Sequence, residues 1–351
     1  MASDPDLKTD PTSSNPDKQL RAQAFWSSVR SLSQHLERHP PKRLSKSLVE
    51  LKGGGSRNLF LVHDGDGQTL VYLNLAHRMP ADLAVVGIEP FRIPGVPLAQ
   101  TSVEEMAACY VEEMRRHQPS GPYLLGGLCG GGVIAFEMAS QLVRAGESVE
   151  FVALFDAVRP QTPMRPGLLA SHRINRLTQA LTAARSTERS LVARAWTILG
   201  VISRKLVNTL TWEIKRRMTK WWVDARFLLL RKRLARGRPW PKFLPGLSAR
   251  QIYESADALY VARPLPRASV VLVRARAGVD GVADDTPYLD IYADETLGWR
   301  ALIEKLNVID VDGGHSSMLR EPFVQSLARA LVPFVAGSAP IRAPAAPLEK
   351  A

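Results

Sequence analysis

Short apolar runs and segments of helical periodicity alternate through most of the chain. Runs of about four to eight apolar residues bounded by glycine or polar residues are typical of buried strands, and a repeat of roughly 3.6 residues is typical of amphipathic helices. This alternation predicts an α/β fold with a mostly parallel central sheet covered by helices on both faces. The predicted strands are Leu59–Val62, Ala84–Ile88, Tyr123–Leu125, Val149–Phe155, Ser269–Val273 and Val308–Val311.

Capping residues mark the predicted helix ends. Ser102 predicts the start of a helix that runs to about His117, because a serine side chain can accept from the first free N–H groups. Gly146 predicts the end of a helix over Val133–Ala145. Proline suits the first helical turn, which predicts a closing helix over Pro322–Val335.

Three segments depart from the alternation of strands and helices. Residues 1–44 combine a polar leader with an amphipathic helix, and residues 336–351 form an Ala/Pro-rich tail; we expect leader and tail to be disordered. Residues 159–250 are rich in Trp and in helix-forming residues. We interpret them as a helical insertion that forms a lid on a domain spanning residues 45–335.

Composition narrows the class of protein. The chain has 351 residues, of which 45% are hydrophobic and 23% charged, which is enough for a sizeable core. We find neither a secretory signal nor an apolar stretch of about 18 residues, so no membrane span is expected. Two cysteines and the lack of zinc-ligand spacing predict a reduced, cytoplasmic protein without a metal.

The net charge of +12 originates in one segment. Residues 159–250 hold 21 Lys and Arg against three acids, whereas the remainder holds 25 basic and 31 acidic residues. Such a basic segment favours an acidic partner. Because Trp and Leu are interleaved with the charges, a membrane- or nucleic-acid-binding module is the non-enzyme alternative, although we expect no nucleic acid as a partner.

The candidate chemistry centres on a G-x-C-x-G motif at Gly127–Gly131. It lies between a predicted strand and a predicted helix, the setting of a nucleophile elbow. Cys129 then lies at a helix N-terminus, where the dipole favours a thiolate. The N–H of Gly130 is a predicted donor to an oxyanion, and a second donor is expected from Asp64 or Gly65 in the loop after the first strand.

A thiol nucleophile needs a base and an orienting acid. His315 lies in a glycine-rich loop after a late strand, where this fold supplies the base. Asp156 ends the strand after the elbow helix, and Asp280, Asp284 and Asp285 are its rivals. A strand-end acid is held more rigidly, which favours Asp156. The order Cys–Asp–His matches the order of nucleophile, acid and base in α/β-hydrolases.

Four stretches resemble the C-terminal thioesterase domains of nonribosomal peptide synthetases and related polyketide synthases. They are LFLVHDGDGQTLVYLNLAHRM, GPYLLGGLCGGGVIAFEMASQL, FVALFDAVRP and VDGGHSSMLREPFV, within roughly residues 45–335. The resemblance implies an α/β-hydrolase with a helical lid that acts on thioesters presented on the phosphopantetheine arm of a carrier protein, without a further cofactor. It also strengthens Asp156, because Asp156–Pro160 fits the family's D-x-x-x-P setting of the triad acid.

The chain departs from this family at two site positions. Cys129 stands where the family usually has Ser, and Asp64 stands where it usually has Pro. The chain shows no adenylation or carrier motif, so we expect a free-standing protein. The resemblance favours release of an acyl or peptidyl product by hydrolysis, aminolysis or cyclisation. The thiol supports an alternative, acyl or aminoacyl transfer between carrier proteins, because exchange between two thioesters is nearly thermoneutral.

Overall fold

The structure is a computed structural model of the chain. It describes residues 41–165, 191–279, 282 and 284–337, together with Ser27 and Arg30. Most of the predicted leader and tail, and the candidate acid Asp280, lie outside the described residues. The chain divides into two compact units, one that ends at Pro163 and resumes at Ser248, and one that spans Met164–Leu247.

The first unit is built on one eight-stranded sheet. Its strands are β1 (Lys42–Arg43), β2 (Leu48–Lys52), β3 (Arg57–Val62), β4 (Leu83–Ile88), β5 (Tyr123–Leu128), β6 (Val149–Phe155), β7 (Ser269–Ala275) and β8 (Leu306–Val311). They lie in the order β1-β2-β4-β3-β5-β6-β7-β8. β2 pairs antiparallel with β1 and with β4, and every other pair is parallel. The predicted mostly parallel sheet is therefore confirmed, and the antiparallel edge adds to it.

The helices follow the predicted alternation. In chain order they are α1 (Leu73–Ala76), α2 (Val103–His117), α3 (Gly130–Arg144), α4 (Leu191–Leu234), α5 (Ala249–Asp257), α6 (Tyr288–Ile291) and α7 (Val324–Val335). Ser102 caps α2 as predicted, since its hydroxyl accepts from the N–H of Glu105 at 3.2 Å. Gly146, at φ 82°, follows the end of α3. The closing helix α7 begins two residues after Pro322, within the usual variation of helix ends.

Burial explains why these strands lie at the centre. Every residue of β4 and of β5 is buried, which is the pattern of a strand covered on both faces. Helix α3 buries most of its residues and contacts β5, β6 and α2. This packing fixes the start of α3, and therefore the turn before it, against the carboxyl edge of the sheet.

The second unit contains the long helix α4. Within this unit, the guanidinium of Arg226 donates to the carbonyl oxygens of Pro245 and Gly246 at 3.1 and 3.2 Å. The unit overlaps the insertion predicted at residues 159–250, and its role as a lid stays a prediction. Among the residues that the structure describes, no helix combines the length and apolar character needed to cross a membrane.

Candidate active site

The carboxyl ends of the parallel strands bring the predicted site residues to one edge of the sheet. A cleft of about 820 Å³ at this edge is lined by five of them. The sixth, Asp156, ends β6 and is fully buried. The five residues that line the cleft are Asp64, Gly65, Cys129, Gly130 and His315.

Cys129 occupies a sharp turn between β5 and α3. Its backbone lies at φ 54° and ψ −119°, a conformation that costs energy in a residue with a Cβ atom. The flanking glycines make the turn possible. A Cβ atom on Gly127 would lie 2.2 Å from the carbonyl carbon of Gly131, and one on Gly131 would lie 2.3 Å from the carbonyl oxygen of His63. The spacing of the G-x-C-x-G motif is thus set by close backbone contacts.

Asp156 and His315 form a buried hydrogen-bonded pair. Asp156 Oδ2 lies 2.8 Å from His315 Nδ1. The carboxylate also accepts from the backbone N–H groups of Tyr288, at 3.1 Å, and Ala275, at 3.3 Å. These bonds fix the carboxylate and select the tautomer with the proton on Nδ1, which leaves Nε2 of His315 for chemistry.

The electrostatics of this pair favour a charged imidazole. Burial lowers the pKa of His315, but the hydrogen bonds and charges of Asp156 and Cys129 outweigh that effect and raise it from 6.5 to about 10. The raised pKa favours the imidazolium form of His315 at neutral pH. An imidazolium beside a thiol is the arrangement that supports a thiolate nucleophile.

The rival acids bond other groups. Asp285 accepts the N–H of His315 on its carbonyl oxygen at 3.0 Å, so it contacts the backbone of the histidine loop rather than the ring. Asp284 pairs with Arg250 at 3.0 Å. The Asp285 carboxylate accepts five hydrogen bonds of 2.7–2.9 Å, from the N–H groups of Val279, Ser316 and Ser317 and from the hydroxyls of Ser316 and Ser317.

The two predicted oxyanion donors on the β3 loop differ. The N–H of Asp64 donates to the carbonyl oxygen of Gln68 at 3.0 Å, so it is already engaged, which corrects its assignment as a donor. The N–H of Gly65 donates to no residue that the structure describes. Gly130 is the first residue of α3, so its N–H has no acceptor within the helix. The geometry leaves Gly65 and Gly130 as the available pair.

Tyr288 was missed by sequence reasoning. Its hydroxyl lies 3.0 Å from Cys129 Sγ, and its ring stacks on the imidazole of His315 at a centroid distance of 4.2 Å and an interplanar angle of 20°. Because its backbone N–H also donates to the carboxylate of Asp156, Tyr288 contacts Cys129, His315 and Asp156. No motif marks Tyr288, because its position depends on how the loop after β7 folds back over the sheet edge.

Two other titratable groups near the site have shifted pKa values. Burial lowers the pKa of His63 to about 4, and its Nε2 lies 2.8 Å from the hydroxyl of Tyr110, so it is a neutral packing residue. Burial raises the pKa of Asp257, at the cleft wall, to about 6. In the described part of the chain, no group of His, Cys, Asp and Glu has the arrangement of a metal site.

Comparison with known proteins places this geometry in context. Residues 57–208 match the family model described as "Thioesterase domain". The nonribosomal peptide synthetase apvA of Aspergillus terreus is 36% identical over 140 residues, which is 40% of this chain and 15% of the synthetase. The non-reducing polyketide synthase Preu8 of Preussia isomera is 40% identical over 105 residues, 30% of this chain and 5% of the synthase. The chain thus matches only a small part of these relatives.

Solved structures that are similar to this chain include two thioesterase domains. The NocB thioesterase domain from the nocardicin cluster is 24% identical, with a TM-score of 0.49 over 84% of this chain and 100% of that domain. The thioesterase domain SrfTE, described for cyclisation of the lipopeptide surfactin, is 16% identical, with a TM-score of 0.48 over 84% of this chain and 98% of that domain. The match of residues 57–208 to the thioesterase family model and the order of the strands indicate an α/β-hydrolase fold and an enzyme of the class that acts on thioesters.

Proposed function

We propose that this enzyme is a Cys-nucleophile thioesterase that accepts acyl or peptidyl groups from phosphopantetheinyl carrier proteins and releases them as acid, amide or ring. One observation carries the proposal. Cys129 lies in a strained turn at the N-terminus of α3 and lines the same cleft as His315. The Nδ1 atom of His315 lies 2.8 Å from the carboxylate of the buried Asp156. The three side chains supply a nucleophile, a base and an orienting acid.

The proposed reaction proceeds in two halves. The thiolate of Cys129 attacks the thioester carbonyl, and the resulting oxyanion accepts hydrogen bonds from the N–H groups of Gly130 and Gly65. The bond from the carbonyl carbon to the phosphopantetheine sulfur then breaks, and the departing thiolate takes the proton on Nε2 of His315. In the second half, water, an amine or a hydroxyl gives its proton to the same nitrogen and attacks. The bond to Sγ breaks and the Cys129 thiolate returns.

Asp156 contributes by orienting the base rather than by exchanging a proton. Its carboxylate is held by the backbone N–H groups of Ala275 and Tyr288 in addition to His315. Because these donors are fixed by β7 and by the loop that follows it, the imidazole keeps Nε2 toward the cleft in both halves of the reaction.

A carrier protein is the proposed partner. The relatives of this chain include a nonribosomal peptide synthetase and a polyketide synthase. In addition, residues 159–250 hold 21 Lys and Arg against three acids, which would attract an acidic carrier and the phosphate of its arm. We propose that the enzyme works in the cytoplasm, where its thiols stay reduced.

Acyl transfer between two carriers is a second candidate, and Cys129 favours it. A serine nucleophile would convert a thioester into an oxyester, which is downhill and favours release. With Cys129 the acyl-enzyme is itself a thioester, so transfer to a second carrier thiol is nearly thermoneutral and reversible. The chemistry of the two candidates is the same up to the acyl-enzyme, and they differ in the acceptor.

Intact-protein mass spectrometry of both carriers separates these functions. The enzyme is mixed with an acyl-loaded carrier and then offered an empty second carrier. Release predicts free acid, amide or ring and an unmodified second carrier, and transfer predicts acyl groups on the second carrier. Cys129→Ser is the matched control, since it should keep part of the hydrolysis and lose carrier-to-carrier transfer. If Cys129→Ala consumes the loaded carrier as fast as the wild-type enzyme, neither function holds.

A further inference from the structure

The side chain of Tyr288 lies between the proposed nucleophile and the proposed base. Its hydroxyl is 3.0 Å from Cys129 Sγ, while its ring lies 4.2 Å from the ring of His315 in a stacked arrangement. Tyr288 is the first residue of the short helix α6, and the hydrogen bond from its N–H to Asp156 fixes its backbone. Tyr288 is thus anchored by one member of the proposed triad while it contacts the other two.

The proton of this contact belongs to the tyrosine. Burial and the charge of Cys129 raise the pKa of Tyr288 far above its ordinary value, so the phenol stays protonated at any working pH. Among the described residues, Cys129 Sγ is the one partner found for the hydroxyl. Because the raised pKa of His315 favours its imidazolium form at neutral pH, the sulfur beside it is the natural acceptor.

We propose that Tyr288 is a further catalytic residue, whose hydroxyl donates a hydrogen bond to the Cys129 thiolate and holds the thiolate beside the His315 imidazolium. The inference rests on the proposed function, in which Cys129 is the nucleophile. It assigns the thiolate a neutral donor in addition to the helix dipole and the imidazolium.

The same contact makes the hydroxyl sensitive to acylation. In a near-attack arrangement the carbonyl carbon stands about 3–3.5 Å from the sulfur, the shell around Sγ in which the Tyr288 hydroxyl lies at 3.0 Å. When the sulfur becomes a neutral thioester, it also ceases to be a strong acceptor. The hydroxyl therefore gives way as the acyl group enters, and it returns when the thiolate is regenerated.

The test compares the pH dependence of Cys129 alkylation in the wild-type enzyme and in Tyr288→Phe. This variant keeps the stacked ring and the backbone bond to Asp156, and it removes one oxygen. Iodoacetamide reacts with the thiolate, and peptide mapping assigns the product to Cys129 rather than Cys109. Loss of a charge-assisted hydrogen bond should slow alkylation at neutral pH by roughly 10- to 100-fold and move the acidic limb of the profile to higher pH.

Tyr123→Phe is the matched control. The Tyr123 hydroxyl donates to the carbonyl oxygen of Gln118 at 3.2 Å, at the start of β5 and away from the cleft, so its loss should leave the alkylation profile unchanged. A Tyr288→Phe profile that superimposes on that of the wild-type enzyme overturns the inference. The proposed function fails differently, as a wild-type enzyme that forms no acyl adduct from a loaded carrier, and the alkylation profile does not depend on that result.

Discussion

Two buried carboxylates at the same edge of the sheet bond different kinds of partner. Asp156 directly ends β6, and its N–H is fixed by the carbonyl oxygen of Val273 in the neighbouring strand at 2.7 Å. Its carboxylate bonds the ring of His315. Asp285 lies ten residues beyond the end of β7, and its carboxylate bonds backbone and hydroxyl groups of the loop that carries His315. One acid orients the imidazole, and the other holds the loop that presents it.

This difference follows from where each acid enters the fold. A strand-end residue is held in place by the sheet, so its carboxylate can be aimed at a side chain of another loop at the same sheet edge. A loop residue is not held by a sheet, and the position of Asp285 is instead fixed by the N–H and hydroxyl groups that donate to its carboxylate. We therefore expect substitutions of Asp156 to lower activity first and substitutions of Asp285 to lower stability first.

The largest effect is expected for Asp156→Asn. Asparagine keeps the size of the side chain and tolerates the φ of 39° at this position. Its amide offers the Nδ1 proton no charged acceptor and favours the wrong tautomer, so kcat for thioester turnover should fall by roughly 10⁴-fold while the protein stays folded. Steady-state kinetics with an acyl-loaded carrier, alongside thermal unfolding, measure both. A loss of less than tenfold in kcat would remove Asp156 from the proposed triad.

Asp285→Ala is expected to act on stability first. It leaves the N–H and hydroxyl groups of Ser316 and Ser317 without their acceptor in a buried loop. The free energy of unfolding should fall by about 3 kcal/mol, with a smaller loss of activity than in Asp156→Asn because the imidazole keeps its partner. Urea unfolding measures the first quantity. An Asp285→Ala protein as stable as the wild-type protein would contradict a structural role for this carboxylate.

The pH dependence of stability should distinguish the two acids again. Because the pKa of His315 is raised from 6.5 to about 10 in the folded protein, its imidazolium stabilises the fold fully below pH 6.5, and this contribution is lost as the pH rises through about 10. Asp156→Asn should shrink this slope, and Asp285→Ala should retain it. Urea unfolding at pH 6, 8 and 10 gives the three slopes, and equal slopes in all three proteins would contradict the assignment.

The smallest effect is expected for Arg250→Gln. Arg250 joins Asp66, on the β3 loop, to Asp284, beside Asp285, through half-exposed ion pairs. Pairs of this exposure contribute under about 1 kcal/mol, and salt screens them. The variant should therefore lose less stability than Asp285→Ala and lose it only at low ionic strength. At 1 M NaCl the Debye length is about three times shorter than at physiological salt, so surface ion pairs are screened. A loss of stability that persists at 1 M NaCl would argue against a surface role.

The parts of the site that adjoin strand ends could be predicted from the sequence. Cys129, Asp156 and His315 each follow a recognisable apolar run, and parallel strands bring such positions to one edge. The helix cap at Ser102 was also predictable, because a capping signal lies within a few residues of the helix start. The antiparallel strand β2 is too mixed in polarity to stand out, because Glu50 and Lys52 interrupt its apolar residues.

The remaining features depend on the path of the loops. Whether Asp64 or Gly65 offers a free N–H is decided by the turn that Asp64 makes with Gln68. The contacts of Tyr288 and Asp285 join residues that are distant in the chain, and no spacing or periodicity encodes them. Local signals predict what a strand end carries, and tertiary contacts decide what a loop places beside it.

The residue that carries the acyl group decides whether Cys129 is the nucleophile. The wild-type protein is mixed with an acyl-loaded carrier, quenched in acid within the first turnover, digested, and mapped by mass spectrometry. If Cys129 is the nucleophile, the acyl group is found on the peptide that contains Cys129 and not on the peptide that contains Cys109. An acyl group on any other residue, or turnover of authentic substrate with no adduct in the wild type and unchanged rate in Cys129→Ala, would contradict this role of Cys129.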